Sequence, residues 1–341
     1  MENILDNKNV MKENKPREKW IDALRGIAML LVLLGHMIPG RNLFFVLTSP
    51  IKIPLFFVIS GYVFSDRNRS SKVFFSKMIR TILIPYIILS MLPIKLLYAL
   101  AIGSTNEFLR YLKEFISGEA YWYIPCFIIV NILTFYILKL FRGVAKYTAF
   151  GIAAGLGIVL SLQHMNNYGY YITALICLAF VMIGQIFKDL NITQIHTKYR
   201  AITGIVSMMV YLALFVISVY AYPGQAMDIH TNRFYNFFIC GCMIASGCYG
   251  LFVSAHKARW PRWIIYIGKN TLYYYLLSPY FMMLLKIIYQ KAGLNVENLL
   301  ISLFSFVSTC IACTIAACVC NRYLPFLSRQ TNNNRLFKER V

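Results

Sequence analysis

The sequence predicts an all-α, polytopic membrane protein of about ten transmembrane helices, with the N-terminus and C-terminus both cytoplasmic. Three observations carry this. Of 341 residues, 59% are hydrophobic and 14% charged, with a mean hydropathy of +0.60, which is too apolar for a water-soluble domain. The apolar residues come in long runs, such as 21–37, 202–222 and 299–320. As helices these can cross a hydrocarbon core roughly 30 Å thick. Finally, the basic residues are dense in every second connecting segment and sparse in the others.

The apolar runs place spans at 20–39, 43–64, 79–102, 122–141, 147–163, 170–187, 202–222, 234–255, 263–289 and 299–320. An even number puts both termini on one side. That side collects 24 of the 34 Lys and Arg residues and the other side 6, while Arg25, Lys95, Lys269 and Lys286 fall inside spans. The positive-inside rule therefore predicts cytoplasmic termini. The same sorting accounts for the net charge of +21, so membrane lipids are the expected surroundings and no nucleic-acid partner is expected.

Residues 1–19 are polar, rich in Asn and Lys, and lack a small-residue cleavage site, so they read as a disordered cytoplasmic tail. Residues 323–341 read as a second tail. Between them, 20–322 forms one membrane domain, because the longest loops (65–78, 103–121, 188–201 and 223–233) are too short to bury a core. There is no repeat of fixed period and no convincing pair of inverted halves, which speaks against the common transporter designs. All nine cysteines fall in predicted spans and read as small apolar packing residues. Cys310 and Cys313 have metal-like spacing, but no loop supplies a second His or Cys pair, so no metal is expected.

Two loops on the outer side have polar and aromatic content suited to sugars. One holds Gln163, His164, Asn166, Asn167, Tyr168 and Tyr170, the other Gln225, Asp228, His230, Asn232 and Arg233. The same composition describes a solvated loop with a Tyr belt at the interface. Asp228 with His230 has the makings of an acid/base pair.

The first span carries Arg25 and His36 in an otherwise apolar helix. Such residues are costly in a membrane and face a cavity or a partner by default. Eleven residues at about 100° each bring them within about 20° of one another in azimuth and about 16 Å apart along the axis. They share one stripe, Arg25 near the cytoplasmic end and His36 near the other. A ligand touching both is long, anionic at its inner end and reactive at its outer end. Acyl-coenzyme A has this form. A neutral His can take a proton from an attacking hydroxyl or accept the acyl group itself, and the spacing does not choose between these. Snorkelling of Arg25 to the interface is the plain alternative.

With the segment 21–26 (Ile-Asp-Ala-Leu-Arg-Gly) followed by Gly35-His36, the chain resembles the acyltransferase type 3 family of integral membrane proteins, whose first helix has an Arg, ten residues, then a His. Pro54 through Tyr62, Arg80 through Pro85-Tyr86, Tyr121-Trp122-Tyr123, and Gly268-Lys269-Asn270-Thr271 through Tyr275 are similar to further family segments. The resemblance implies a membrane-bound O-acyltransferase of the bacterial cell (inner) membrane. It would carry an acyl group, acetyl foremost and succinyl as an alternative, from cytoplasmic acetyl-CoA or its analogue to a hydroxyl of a saccharide acceptor, such as a capsule, exopolysaccharide or cell-wall precursor. Carried over by position, His36 is the catalytic residue and Arg25 its partner in acyl-CoA binding or site assembly. Arg80 and Lys77 become candidate phosphate contacts, and Ser60 with Gly61 would let the backbone approach closely beside the His. Trp122, Asp228 and Arg233 are the candidate acceptor contacts.

The chain departs from many relatives in having Leu277-Ser278-Pro279 where they have a His after the Tyr-rich late helix. No segment of these 341 residues reads as the hydrolase-like domain of some members, so acceptor recognition is expected of the membrane domain or of a partner. The competing reading is a transporter or flippase for lipid-linked saccharides, in which Arg25 and His36 bind without chemistry.

Overall fold

Hydrocarbon offers backbone groups no partner, so a crossing segment must bond its own N–H and C=O groups. In the structure, a computed structural model describing residues 18–38, 43–64, 70–119, 121–195, 197–294 and 298–324, the described residues form helices and no strand beyond one isolated bridge between Asp228 and Arg233. The helices are α1 (Lys19–Met37), α2 (Leu43–Lys52), α3 (Pro54–Val63), α4 (Ser71–Met78), α5 (Ile84–Leu89), α6 (Leu92–Ala101), α7 (Thr105–Ser117), α8 (Tyr123–Leu140), α9 (Val144–Leu162), α10 (Tyr171–Asp189), α11 (Thr197–Ala221), α12 (Phe237–Ala255), α13 (Arg262–Lys269), α14 (Thr271–Lys291) and α15 (Leu299–Tyr323). A π-helical turn, Ile79–Leu83, joins α4 to α5.

Among the described residues, 10 stretches are long and apolar enough to cross a membrane: α2 with α3, α4 through α6, and eight single helices that exclude α7 and α13. The even number returns Tyr323 to the face where Lys19 begins, here called the terminal face. The tails expected at 1–19 and 323–341 lie outside the described residues, except for Glu18, Lys19, Tyr323 and Leu324.

Three spans are broken, each at an identifiable residue. Pro54 opens α3 and Pro93 sits in the first turn of α6, positions where the missing N–H is tolerated. The span expected over 263–289 is instead two helices, because Asn270 leaves helical geometry (φ −114°, ψ 19°). Its side-chain amide donates to the Tyr266 carbonyl at 2.9 Å and its Oδ1 accepts from Asn321 Nδ2 at 2.9 Å, so the break is stabilised by side-chain bonds.

At the centre, α1 packs against α13 and also touches α2, α3, α12, α14 and α15. Glycine makes the closest approaches. A Cβ on Gly26 would collide with the Ile264 carbonyl, and one on Gly268 with the Asp22 carbonyl. In the same way, a Cβ on Gly61 of α3 would strike Val181 of α10, and one on Gly184 would strike Val58. The carbonyls at the end of α3 accept from Gln185 Nε2 (Gly61 O, 2.5 Å) and Lys188 Nζ (Phe64 O, 2.6 Å). The break at Ser90–Met91 is held to α14: Tyr121 OH accepts from Met91 N–H and donates to Leu276 O, both at 3.2 Å, while Tyr280 OH donates to Ser90 O at 2.5 Å.

Candidate active site

A cavity of about 260 Å³ lies among α1, α3, α4, α8 and the α13–α14 junction. Arg25, Met29 and Val32 of α1 line it, three residues at the i, i+4, i+7 spacing of one helix face. Toward the terminal face its wall carries three cations, Arg25, Lys77 and Lys269, with Asn270 and Asn321 between helices. Toward the opposite face the wall turns apolar and aromatic, with Val32, Ile53, Phe56 and Tyr123. Arg25 donates from Nη1 to Oδ1 of buried Asp22 at 3.5 Å, one turn back on α1. The glycine contact between α1 and α13 brings Lys269, and the N-terminus of the 21-residue α14, beside Arg25. A helix N-terminus with three cations around it attracts anions.

The π turn decides which basic residue of the third span reaches the cavity. In an α-helix, Arg80 would follow Lys77 on one face at i+3; the wider turn instead aligns Lys77 with Thr81 and Ile82. Lys77, Met78, Thr81 and Ile82 line the cavity, and Arg80 is exposed elsewhere. Ser60 lines the cavity too. Gly61 beside it faces Val181 of α10, so the close approach this glycine permits is to α10.

His36 lies one turn beyond Val32 on the same stripe, in the last turn of α1. The cavity stops at Val32 and does not include His36. The imidazole is exposed. Lys52, at the end of α2, packs against the last turn of α1 beside Gly35. The Lys52 ammonium lies 3.6 Å over the Phe45 ring, and a Cβ on Gly35 would stand 3.0 Å from its Nζ.

The structure separates the remaining candidates from the cavity and gathers two of them on the opposite face. The Trp122 ring lies 5.3 Å from that of His230 and 6.0 Å from that of Tyr170. The Asp228 carboxylate accepts from His230 N–H (3.1 Å) and Thr231 Oγ1 (3.0 Å), so it shapes the loop. The His230 Nε2 bonds Tyr170 OH at 3.0 Å instead. Arg233 is exposed beyond the bridge it forms with Asp228. Ser278 is buried and is not among the cavity-lining residues. Lys95 is paired with Glu114 at 2.9 Å.

Sequence reasoning gave no role to Lys269, Asn270 or Lys52. The first two stood in a quoted segment, Gly268 to Thr271, but nothing in the sequence places that segment against Arg25. Lys52 lies inside the expected span 43–64, and its closeness to Gly35 depends on how α2 folds back beside α1.

A family model described as an acyltransferase domain matches residues 18–318, nearly the whole described chain. No curated protein and no solved structure matches it. The matched range runs from the start of α1 into α15, and so takes in both sides of the Gly26–Gly268 contact and the whole cavity. The chain therefore belongs to the acyltransferase type 3 family, and it is a multi-pass membrane acyltransferase.

Proposed function

We propose that this acyltransferase uses acyl-CoA, with acetyl as the acyl group, and transfers it to a hydroxyl of a saccharide on the opposite face of a bacterial cell membrane. The terminal face is then cytosolic, as the distribution of basic residues favours. The observation that carries the reading is the single stripe Arg25–Met29–Val32–His36, whose first three members line a cavity with a cationic end and an apolar end. Phosphates suit Arg25, Lys77, Lys269 and the α14 N-terminus, and a pantetheine arm suits the apolar length toward Val32. A volume of about 260 Å³ encloses part of such a donor, which leaves its nucleotide at the mouth.

The thioester is already activated, so no metal is needed. His36 takes the proton of the acceptor hydroxyl as its oxygen attacks the thioester carbonyl, and returns a proton to the departing CoA sulfur. The alternative route has His36 carry the acyl group transiently. Lys52, whose ammonium lies against the last turn of α1, stabilises in this reading the oxyanion that forms between these events. Because the cavity ends one turn below His36, the arm must part the side chains around Val32 to deliver the acyl group.

The test is transfer across a sealed membrane. In proteoliposomes holding the protein and an enclosed glycan, labelled acetyl-CoA added on the terminal face should leave labelled acetyl ester on the enclosed glycan. Acetyl-CoA consumption with label only outside would overturn the cross-membrane reading.

A further inference from the structure

A second recess, of about 510 Å³, opens on the opposite face between the loops after α7, α9 and α11. Its volume lies within the range of small-ligand sites. The backbone around it is unusual: His164 (φ 53°), Tyr170 (φ 62°) and Asn232 (φ 53°) all line it in the left-handed region. Of the four non-glycine residues with positive φ among those described, three are here. A bulky aromatic such as Tyr170 is an outlier in that region, and strain of this kind persists where surrounding structure enforces it and gathers at ligand sites.

The enforcing bonds are on the page. Thr173, fully buried, accepts from Asn167 Nδ2 at 2.7 Å and donates to Asn232 Oδ1 at 2.8 Å. The Tyr170–His230 bond at 3.0 Å and the Trp122 ring close the inner wall. At the rim, Tyr168 is 71% exposed, leaving an aromatic face to solvent. The lining offers hydroxyls, amides, imidazoles and one carboxylate, Glu119, and no Lys or Arg.

We propose that this recess is the acceptor subsite and that it selects a neutral glycan unit over an acidic one. The inference rests on the acceptor being a saccharide. Amides and hydroxyls satisfy sugar hydroxyls, and the C–H face of a pyranose packs on the negative face of an aromatic ring such as Tyr168. A uronate would meet Glu119 with no Lys or Arg among the described lining residues to offset the repulsion. Asp228, which accepts from His230 N–H at 3.1 Å, shapes the loop that supplies His230, Thr231 and Asn232 to the recess.

The test measures binding of two probes to the full chain in detergent: chitotriose, which is neutral, and a galacturonic acid trimer, with acetyl-CoA binding measured separately. Chitotriose should bind, Tyr168→Ala should weaken it roughly three- to tenfold, and the uronate should bind at least several-fold more weakly. Glu119→Lys should narrow or reverse that preference. Equal binding of both probes, or chitotriose binding unmoved by Tyr168→Ala, overturns the inference. Acetyl-CoA binding without binding of either probe also overturns it while the donor reading stands; chitotriose binding without acetyl-CoA binding sinks the donor reading alone.

Discussion

Gly26 of α1 and Gly268 of α13 lie where each helix presses on the other's backbone, with no room for a Cβ at either position. Residues 242 positions apart in the chain thereby place Arg25 and Lys269 on one cavity wall. Each glycine serves the site by what it lacks.

Replacing Gly268 with Val should force these helices apart. Overpacking of this kind costs about 1–3 kcal/mol, and the lost geometry should weaken acetyl-CoA binding more than it lowers the melting temperature. Thermal unfolding and donor titration in detergent, run side by side, check this; a normal donor affinity in a folded Gly268→Val protein would separate the contact from the site.

The π turn at Ile79–Leu83 makes Lys77 and Arg80 unequal. Loss of one charge-assisted bond is worth about 1.5–3 kcal/mol, so Lys77→Ala and Lys269→Ala should each raise the KM for acetyl-CoA roughly tenfold or more. Arg80→Ala should change it by less than about twofold. Steady-state kinetics on the three variants decide the matter, and equal effects at 77 and 80 would contradict the assigned faces.

Lys52 should matter for rate rather than for donor binding. Removing an oxyanion donor costs on the order of 100-fold in kcat, and Lys52→Gln should show a loss of that order with KM for acetyl-CoA little changed. Lys52→Arg, which keeps the charge, should recover part of it.

His256 lies just past α12, its ring 5.3 Å from that of Trp20 and its Nδ1 buried with no protein partner. Burial holds its pKa below the ordinary value of 6.5, Arg200 and Lys257 act in the same direction, and Glu18 opposes them. The unfolded chain therefore binds a proton that the folded chain refuses between the lowered value and 6.5, so stability is full above pH 6.5 and falls as pH drops through that window. The melting temperature of His256→Gln should decline less between pH 7 and pH 5.5 than that of the parent protein. Parallel declines would remove His256 from the account.

Much of this fold was legible in the sequence, because a hydrocarbon interior leaves long apolar helices as the solution and the spans follow directly. The break at Asn270 was hidden inside a run that stays apolar on both sides of it; it depends on side-chain bonds to Tyr266 and Asn321, the latter in a distant helix. The stripe from Arg25 to His36 follows from helical periodicity; the cavity runs along it from Arg25 to Val32 and stops short of His36. Lys77 and Arg80, both carried over from the resemblance as phosphate contacts, differ in the structure because the turn between them is π-helical and leaves only Lys77 on the cavity. Asp228 and His230, paired by proximity in sequence, take different partners because the carboxylate caps its own loop while the imidazole turns to Tyr170.

The most direct measurement compares His36→Ala with the parent protein, reading acetyl transfer to a glycan and acetyl-CoA affinity in the same preparation. General acid–base catalysis supplies about 10²–10⁴-fold, so transfer should fall by at least about a hundredfold while acetyl-CoA still binds through Arg25, Lys77 and Lys269. Transfer that continues at the parent rate would contradict a reaction centred on the imidazole at the end of α1.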